Sequence, residues 1–130
     1  MQDGNTKQIV KMANNRLVVE SAEKDNYTIF RVIGCLTQKE KDGVALLNKA
    51  VIECHGEAAL LDMTDSFVID AFAIGNLLLL NGAVIAQHKT LAILINGDSN
   101  VLKRLQGIQI PQIIPIYTSL AACAVALAQI

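Results

Sequence analysis

Polar and apolar positions change their period several times along the chain, and each change predicts an element. Residues 1–14 are polar and mixed and read as a flexible lead-in or a partial strand. Arg16-Leu17-Val18-Val19-Glu20 is strand-like, and residues 21–26 form a polar turn. Residues 27–33 carry the β-branched and aromatic side chains of a second strand, which Gly34 ends. The two runs suggest a hairpin. Thr37 followed three residues later by Glu40 has the form of a capping box, in which hydroxyl and carboxylate satisfy open N–H groups at a helix start. Val44, Leu47, Val51 and Cys54 then recur at helical spacing, and Gly56 closes that helix.

The second half alternates strand and helix. Ala58-Ala59-Leu60-Leu61-Asp62-Met63 is an apolar run with an acid near its end, as in a strand buried on both faces of a mostly parallel sheet. Asp70 is placed to cap a helix over residues 71–87, whose Leu77-Leu78-Leu79-Leu80 block is wide enough to be buried over most of its face. Residues 90–95 form another buried strand. Asn96-Gly97-Asp98 is a turn, Asp98 or Ser99 caps a short helix through Leu105, and Gly107 closes it. Residues 113–117 read as a short strand in which Pro115 favours an edge or a strand end. Residues 119–130 form a last, Ala-rich helix. The order β-β-α-β-α-β-α-β-α implies crossover connections and a sheet with parallel pairs. The expected class is α/β: one domain over residues 15–130, with a mixed sheet of about five strands and about four helices.

Composition narrows the function more than the fold. Hydrophobic residues make up 52% of the chain and aromatic ones only 4%, so the core must be built from Leu, Ile, Val and Ala. A net charge of −1 predicts no general attraction to nucleic acid or acidic membrane. Cys35, Cys54 and Cys123 are far apart and odd in number, which suits free thiols in a reducing, cytoplasmic compartment better than a disulfide framework or a zinc site. The polar start of the chain does not resemble a secretory signal. Residues 71–86 are uncharged but would span only about 24 Å as a helix, short of a bilayer core of roughly 30 Å. Residues 105–130 are uncharged too, but Gly107, Pro111 and Pro115 interrupt them. Both read as core elements rather than membrane spans.

The common catalytic motifs (GxGxxG, P-loop, GxSxG, HExxH) are missing from the sequence. Cys54 and His55 are neighbours, and adjacent helical residues point about 100° apart, a poor arrangement for a nucleophile and its base. His55 and His88 each fall at a predicted helix end. Asp62, Asp65 and Asp70 cluster after a strand, where carboxylates can hold a metal or act as a base. The alternative is that Asp65 shapes a turn and Asp70 caps a helix. The helix opening at Gly97-Asp98-Ser99-Asn100 could receive an anion, or be a simple capped turn.

The segment Leu60-Leu61-Asp62-Met63-Thr64-Asp65-Ser66-Phe67-Val68-Ile69-Asp70-Ala71-Phe72-Ala73-Ile74-Gly75 resembles the central motif of STAS domains of the anti-sigma-factor-antagonist type. Val32-Ile33-Gly34, the loop from Ile95 to Val101, and the closing pieces Leu105-Gln106-Gly107-Ile108 and 115–120 agree with it in order and spacing. The resemblance covers the chain from about residue 15. It implies a non-enzymatic regulator without cofactor or metal. The implied partner is an anti-sigma factor that is also a serine kinase, met through Asp62, Asp65, Ser66, Asp70, Ala71, Phe72, Ile74 and Gly75. In the family the kinase phosphorylates a serine just after the Asp that opens the second helix. Here the position is Ala71, which has no hydroxyl. An unregulated antagonist, a scaffold-type member, or a chain carrying a Ser-to-Ala change would each account for it. The Asp-x-Phe pattern resembles small scaffold proteins of stress-signalling assemblies. A nucleotide- or anion-binding module is a further role the family implies. Thr64 and Ser66 are the nearest hydroxyls, either alternative phosphosites or turn residues. Phe72 is either core or an exposed anchor. Ala121, Ala122, Ala124, Ala126 and Ala128 leave the last helix without a charged face, so it packs against a second subunit or is covered by residues 1–14.

Overall fold

A computed structural model describes residues 6–128. Seven strands and four helices follow one another: β1 (Thr6–Lys11), β2 (Leu17–Glu23), β3 (Tyr27–Leu36), α1 (Lys41–Glu53), β4 (Ala58–Asp62), β5 (Ser66–Ile69), α2 (Ala71–Ala86), β6 (Thr90–Leu94), α3 (Asn100–Gly107), β7 (Ile116–Tyr117) and α4 (Leu120–Leu127). The sheet runs β1-β2-β3-β4-β6-β7, with β5 paired to β3. The first three strands are antiparallel, and every later pairing is parallel.

Burial explains the two kinds of strand. In β4, Ala59 and Leu61 face the larger core cluster while Ala58 and Leu60 face a smaller one, so the run is apolar throughout. The same split holds in β6, with Leu91 and Ile93 on one side and Ala92 and Leu94 on the other. By contrast, β2 sends only Leu17 and Val19 into the large core, and its other face is half-buried at Val18 and Glu20. The large cluster takes in α1, α2 and α3 through Val44, Leu47, Leu77, Leu80, Val101 and Leu105. The small cluster is closed by Cys123 and Leu127 of α4. The C-terminal helix therefore covers the opposite face of the sheet.

The mixed α/β architecture agrees with the sequence, and the strand count is higher than the expected five. Of the two readings of residues 1–14, the partial strand holds for residues 6–11, which form β1 and pair with β2 at the far edge of the sheet, away from α4. The first five residues of that lead-in lie outside the described residues. Gly34 does not end its strand. It sits inside β3 at φ +105°, and β3 continues to Leu36. Ile113 and Ile114 are not in β7, because after the 3-10 helix at Ile110–Gln112 the N–H groups of both bond back to the Ile110 carbonyl.

The capping box is also altered. The Thr37 hydroxyl donates to the Glu40 carboxylate at 2.8 Å and accepts no backbone N–H at the helix start. α1 ends because Cys54 is extended, and Gly56 lies beyond it in a tight approach to Asn26. No helix among the described residues is long and apolar enough to cross a membrane.

Candidate functional site

β3 changes partner halfway along its length. Its first half pairs with β4 over Tyr27 to Arg31, and its second half pairs with β5 over Gly34 to Leu36. The register shifts between Gly34 and Cys35. Only glycine fits there: a Cβ at Gly34 would stand 2.4 Å from the Arg16 carbonyl oxygen, on a backbone at φ +105°. The irregularity falls within the pairing of β3 with β5. Ser66 fixes β5 in that place, since its buried hydroxyl donates to the Val32 carbonyl at 2.8 Å.

The loop before β5 is held by its own carboxylates. Asp62 Oδ1 accepts the Thr64 N–H at 3.0 Å and the Thr64 hydroxyl at 2.7 Å. Asp65 pairs with Arg31 from β3, through Nε at 3.1 Å and through Nη2. That hydrogen bond is the first cause of an Arg31 pKa raised above its ordinary value, with Asp62 and Glu20 adding to it. Asn96 Nδ2 donates to the Thr64 carbonyl at 2.9 Å, tying the loop to the end of β6.

α2 then opens on Asp70. One Asp70 oxygen caps the helix by accepting the Ala73 N–H at 3.0 Å, and the other accepts the Gln38 N–H at 2.9 Å. Paired side-chain bonds between Asn48 and Asn76, at 2.7 and 3.0 Å, hold α2 against α1. Ile74 is buried toward the core, and Phe72 is half-buried against it. Ala71 and Gly75 face outward. A Cβ at Gly75 or at Gly82 would meet nothing within 4 Å. Leu78, Leu79 and Ile85 continue this uncharged outer face, with Leu79 78% exposed.

The eight residues singled out from the sequence thus lie in one continuous stretch of loop, strand and helix start, with different exposures. Asp62, Asp65, Ser66 and Asp70 build the stretch, Ile74 and Phe72 anchor it, and Ala71 and Gly75 are its surface. Phe67, which sequence reasoning passed over, is 69% exposed and Val68 stands beside it, also exposed. The local pattern of β5 does not reveal this, because Ser66 and Ile69 turn inward and leave two successive apolar residues facing out, against the alternation of a regular strand.

The other candidates lie at the ends of helices. Thr28 donates to the His55 carbonyl at 3.2 Å, and Lys89 Nζ donates to the Cys54 carbonyl at 2.6 Å. Burial pushes the Cys54 thiol up, the opposite of what a nucleophile needs. His88 takes the left-handed conformation (φ +60°) and closes α2, with its N–H and that of Lys89 bonded to Ile85 and Val84 carbonyls. Ser99, not Asp98, caps α3, accepting the Val101 N–H at 3.1 Å. No group of three or more His, Cys, Asp or Glu among the described residues is placed to hold a metal ion.

No family model matches the sequence, and no curated protein matches it. Solved structures do match. An anti-sigma factor antagonist from Mycobacterium paratuberculosis superposes with a TM-score of 0.73 at 11% identity, over 92% of this chain and 99% of that one. The unphosphorylated anti-sigma factor antagonist SpoIIAA gives 0.62 at 14% identity, over 81% of this chain and 92% of its own. A protein from Shewanella loihica described as having a SpoIIAA-like fold gives 0.52 at 19% identity, covering 98% of both chains. The chain has this SpoIIAA-like, STAS-type fold.

Proposed function

We propose that the protein is a non-enzymatic, protein-binding regulator of the anti-sigma-factor-antagonist type, and that the β5–α2 edge is its partner-binding surface. The observation that carries this reading is the contrast within that edge. Ser66 and Asp70 are spent on holding backbone in place, whereas Phe67, Val68, Ala71 and Gly75 are offered outward without charge. Exposed apolar groups on a rigid support suit an interface and leave no acid, base or nucleophile for catalysis. The fold shared with SpoIIAA supports the same class of partner, a kinase-type anti-sigma factor. Ala71 occupies the outward position after the helix cap, so a partner kinase would find no hydroxyl there.

Pull-down with each kinase-type anti-sigma factor of the same genome tests the reading. Binding by at least one, lost in Gly75→Arg, is the expected result. Failure to bind any of them would sink it.

A second reading, a scaffold subunit that binds copies of itself, is favoured by the uncharged outer face of α2 at Leu78, Leu79 and Ile85. Light scattering decides it, since a strict monomer at high concentration counts against a scaffold.

A further inference from the structure

The exposed pair on β5 does not stand alone. Phe67 and Val68, with Ile69 beneath them, face Asn100, Val101 and Arg104 of α3 across a shallow cavity of about 160 Å³. Small-molecule pockets are usually about 300–1,000 Å³, so this space suits a single side chain of a larger partner. Its floor is apolar, because Ile69 and Val101 are buried core residues. One wall is the exposed Phe67 ring, and the other carries the exposed guanidinium of Arg104.

Charge gives this groove a preference. Arg104 makes no ion pair with any carboxylate among the described residues. Lys103 is exposed beside it in sequence. Among the residues that line the groove, Arg104 alone is charged. An apolar group seated between Phe67 and Val101 would supply affinity, and a carboxylate next to it would meet Arg104 and fix direction.

We propose that the β5–α3 groove takes an acidic peptide segment of a partner protein, with an aliphatic or aromatic side chain in the cavity and an Asp or Glu on Arg104. This rests on the protein-binding reading of the same edge and names the partner's chemistry. β5 runs directly through Asp70 into α2, so the groove extends the Ala71–Gly75 surface onto α3.

Selection of a displayed random-peptide library on the immobilised full chain tests it, whatever the natural partner is. A synthesised consensus peptide is then titrated against the wild type, Phe67→Ser and Arg104→Glu, with Lys24→Glu as a remote control. All three positions are exposed, and circular dichroism checks that the variants are folded. The expected consensus pairs a Leu, Ile or Phe with a nearby Asp or Glu. Phe67→Ser and Arg104→Glu each weaken binding by about tenfold or more, Lys24→Glu does not, and exchange of the peptide acid for Lys restores affinity to Arg104→Glu. No enrichment, a consensus without acids, or full binding by either groove variant overturns the proposal. The outcome is separable from that of the pull-down. Antagonist binding that ignores Arg104 removes only the groove, while peptide capture without any anti-sigma partner removes only the antagonist.

Discussion

The Asp70 carboxylate accepts the backbone N–H of Gln38 at 2.9 Å, joining the start of α2 to the turn that precedes α1. Its other oxygen caps α2 through Ala73 at 3.0 Å. One side chain thus caps α2 and anchors the turn that leads into α1, and it does so at the centre of the proposed binding edge. Asp70→Ala removes both bonds and should cost about 2 kcal/mol, at the upper end for loss of a cap. Asp70→Asn keeps an oxygen for Ala73 but loses an acceptor for Gln38, and should cost about half as much. Urea unfolding checks both. Equal losses in the two variants would mean that the cap contributes nothing.

Two glycines, one in β3 and one in α2, respond in opposite ways. Gly34→Ala forces a Cβ to 2.4 Å from the Arg16 carbonyl oxygen at φ +105°. It should destabilise by more than about 3 kcal/mol, or prevent folding, because the clash is with backbone and the positive φ is itself strained for alanine. Gly75 lies on an open helical surface. Gly75→Ala should stabilise by roughly 0.5–1 kcal/mol through helix propensity alone. Urea midpoints moving in these opposite directions would confirm the assignment of one glycine to conformation and the other to surface.

Phosphorylation separates the hydroxyls near the helix start. Ser66 is 7% exposed and donates to Val32, and the Thr64 hydroxyl is bonded to Asp62. A kinase would have to pull either out of the fold. Ala71 is exposed but has nothing to modify. With a cognate serine kinase and ATP, the wild type should remain unlabelled from Thr64 to Gly75, and Ala71→Ser should take up phosphate. A phosphate there would add about −1.5 to −2 charges to a surface that is otherwise neutral. Mass spectrometry that places phosphate on Ser66 of the unmodified chain would contradict the burial.

Much of this was legible in the sequence where one physical signal acted alone. The doubly buried strands β4 and β6 announced themselves as unbroken apolar runs, and Asp70 stood where a helix cap belongs. The misreadings arose where tertiary contacts decide. β5 is four residues long and exists because β3 has a second half to pair with, which local sequence does not reveal. Gly34 looked like a terminator because the bulge that needs it involves Arg16 and Ser66, both distant in sequence. Phe72 and Phe67 are both aromatic residues flanking Asp70, and only the inward turn of Ser66 and Ile69 shows that Phe67 is the exposed one.

The Ala-rich α4 gives a last prediction, since it buries its own Cys123 completely, at 0% exposure. Burial, with the Asp62 charge second, pushes the Cys123 thiol above its ordinary value, and burial does the same at Cys54. The folded thiols therefore hold their protons at a pH where the unfolded chain has lost them. Their contribution to stability is whole below the unfolded thiol pKa, about 8.5, and is lost as pH rises from there through the folded values. The unfolding free energy of the wild type should fall more steeply above about pH 9 than that of Cys123→Ala, even though the variant starts lower at neutral pH for want of the buried sulfur. Parallel slopes would mean that the thiolate is tolerated where it sits. A disulfide reagent supplies the kinetic counterpart. The half-buried Cys54 should react before Cys123, whose rate should follow the lifting of α4 and rise when Leu127→Ala removes the helix's other buried anchor.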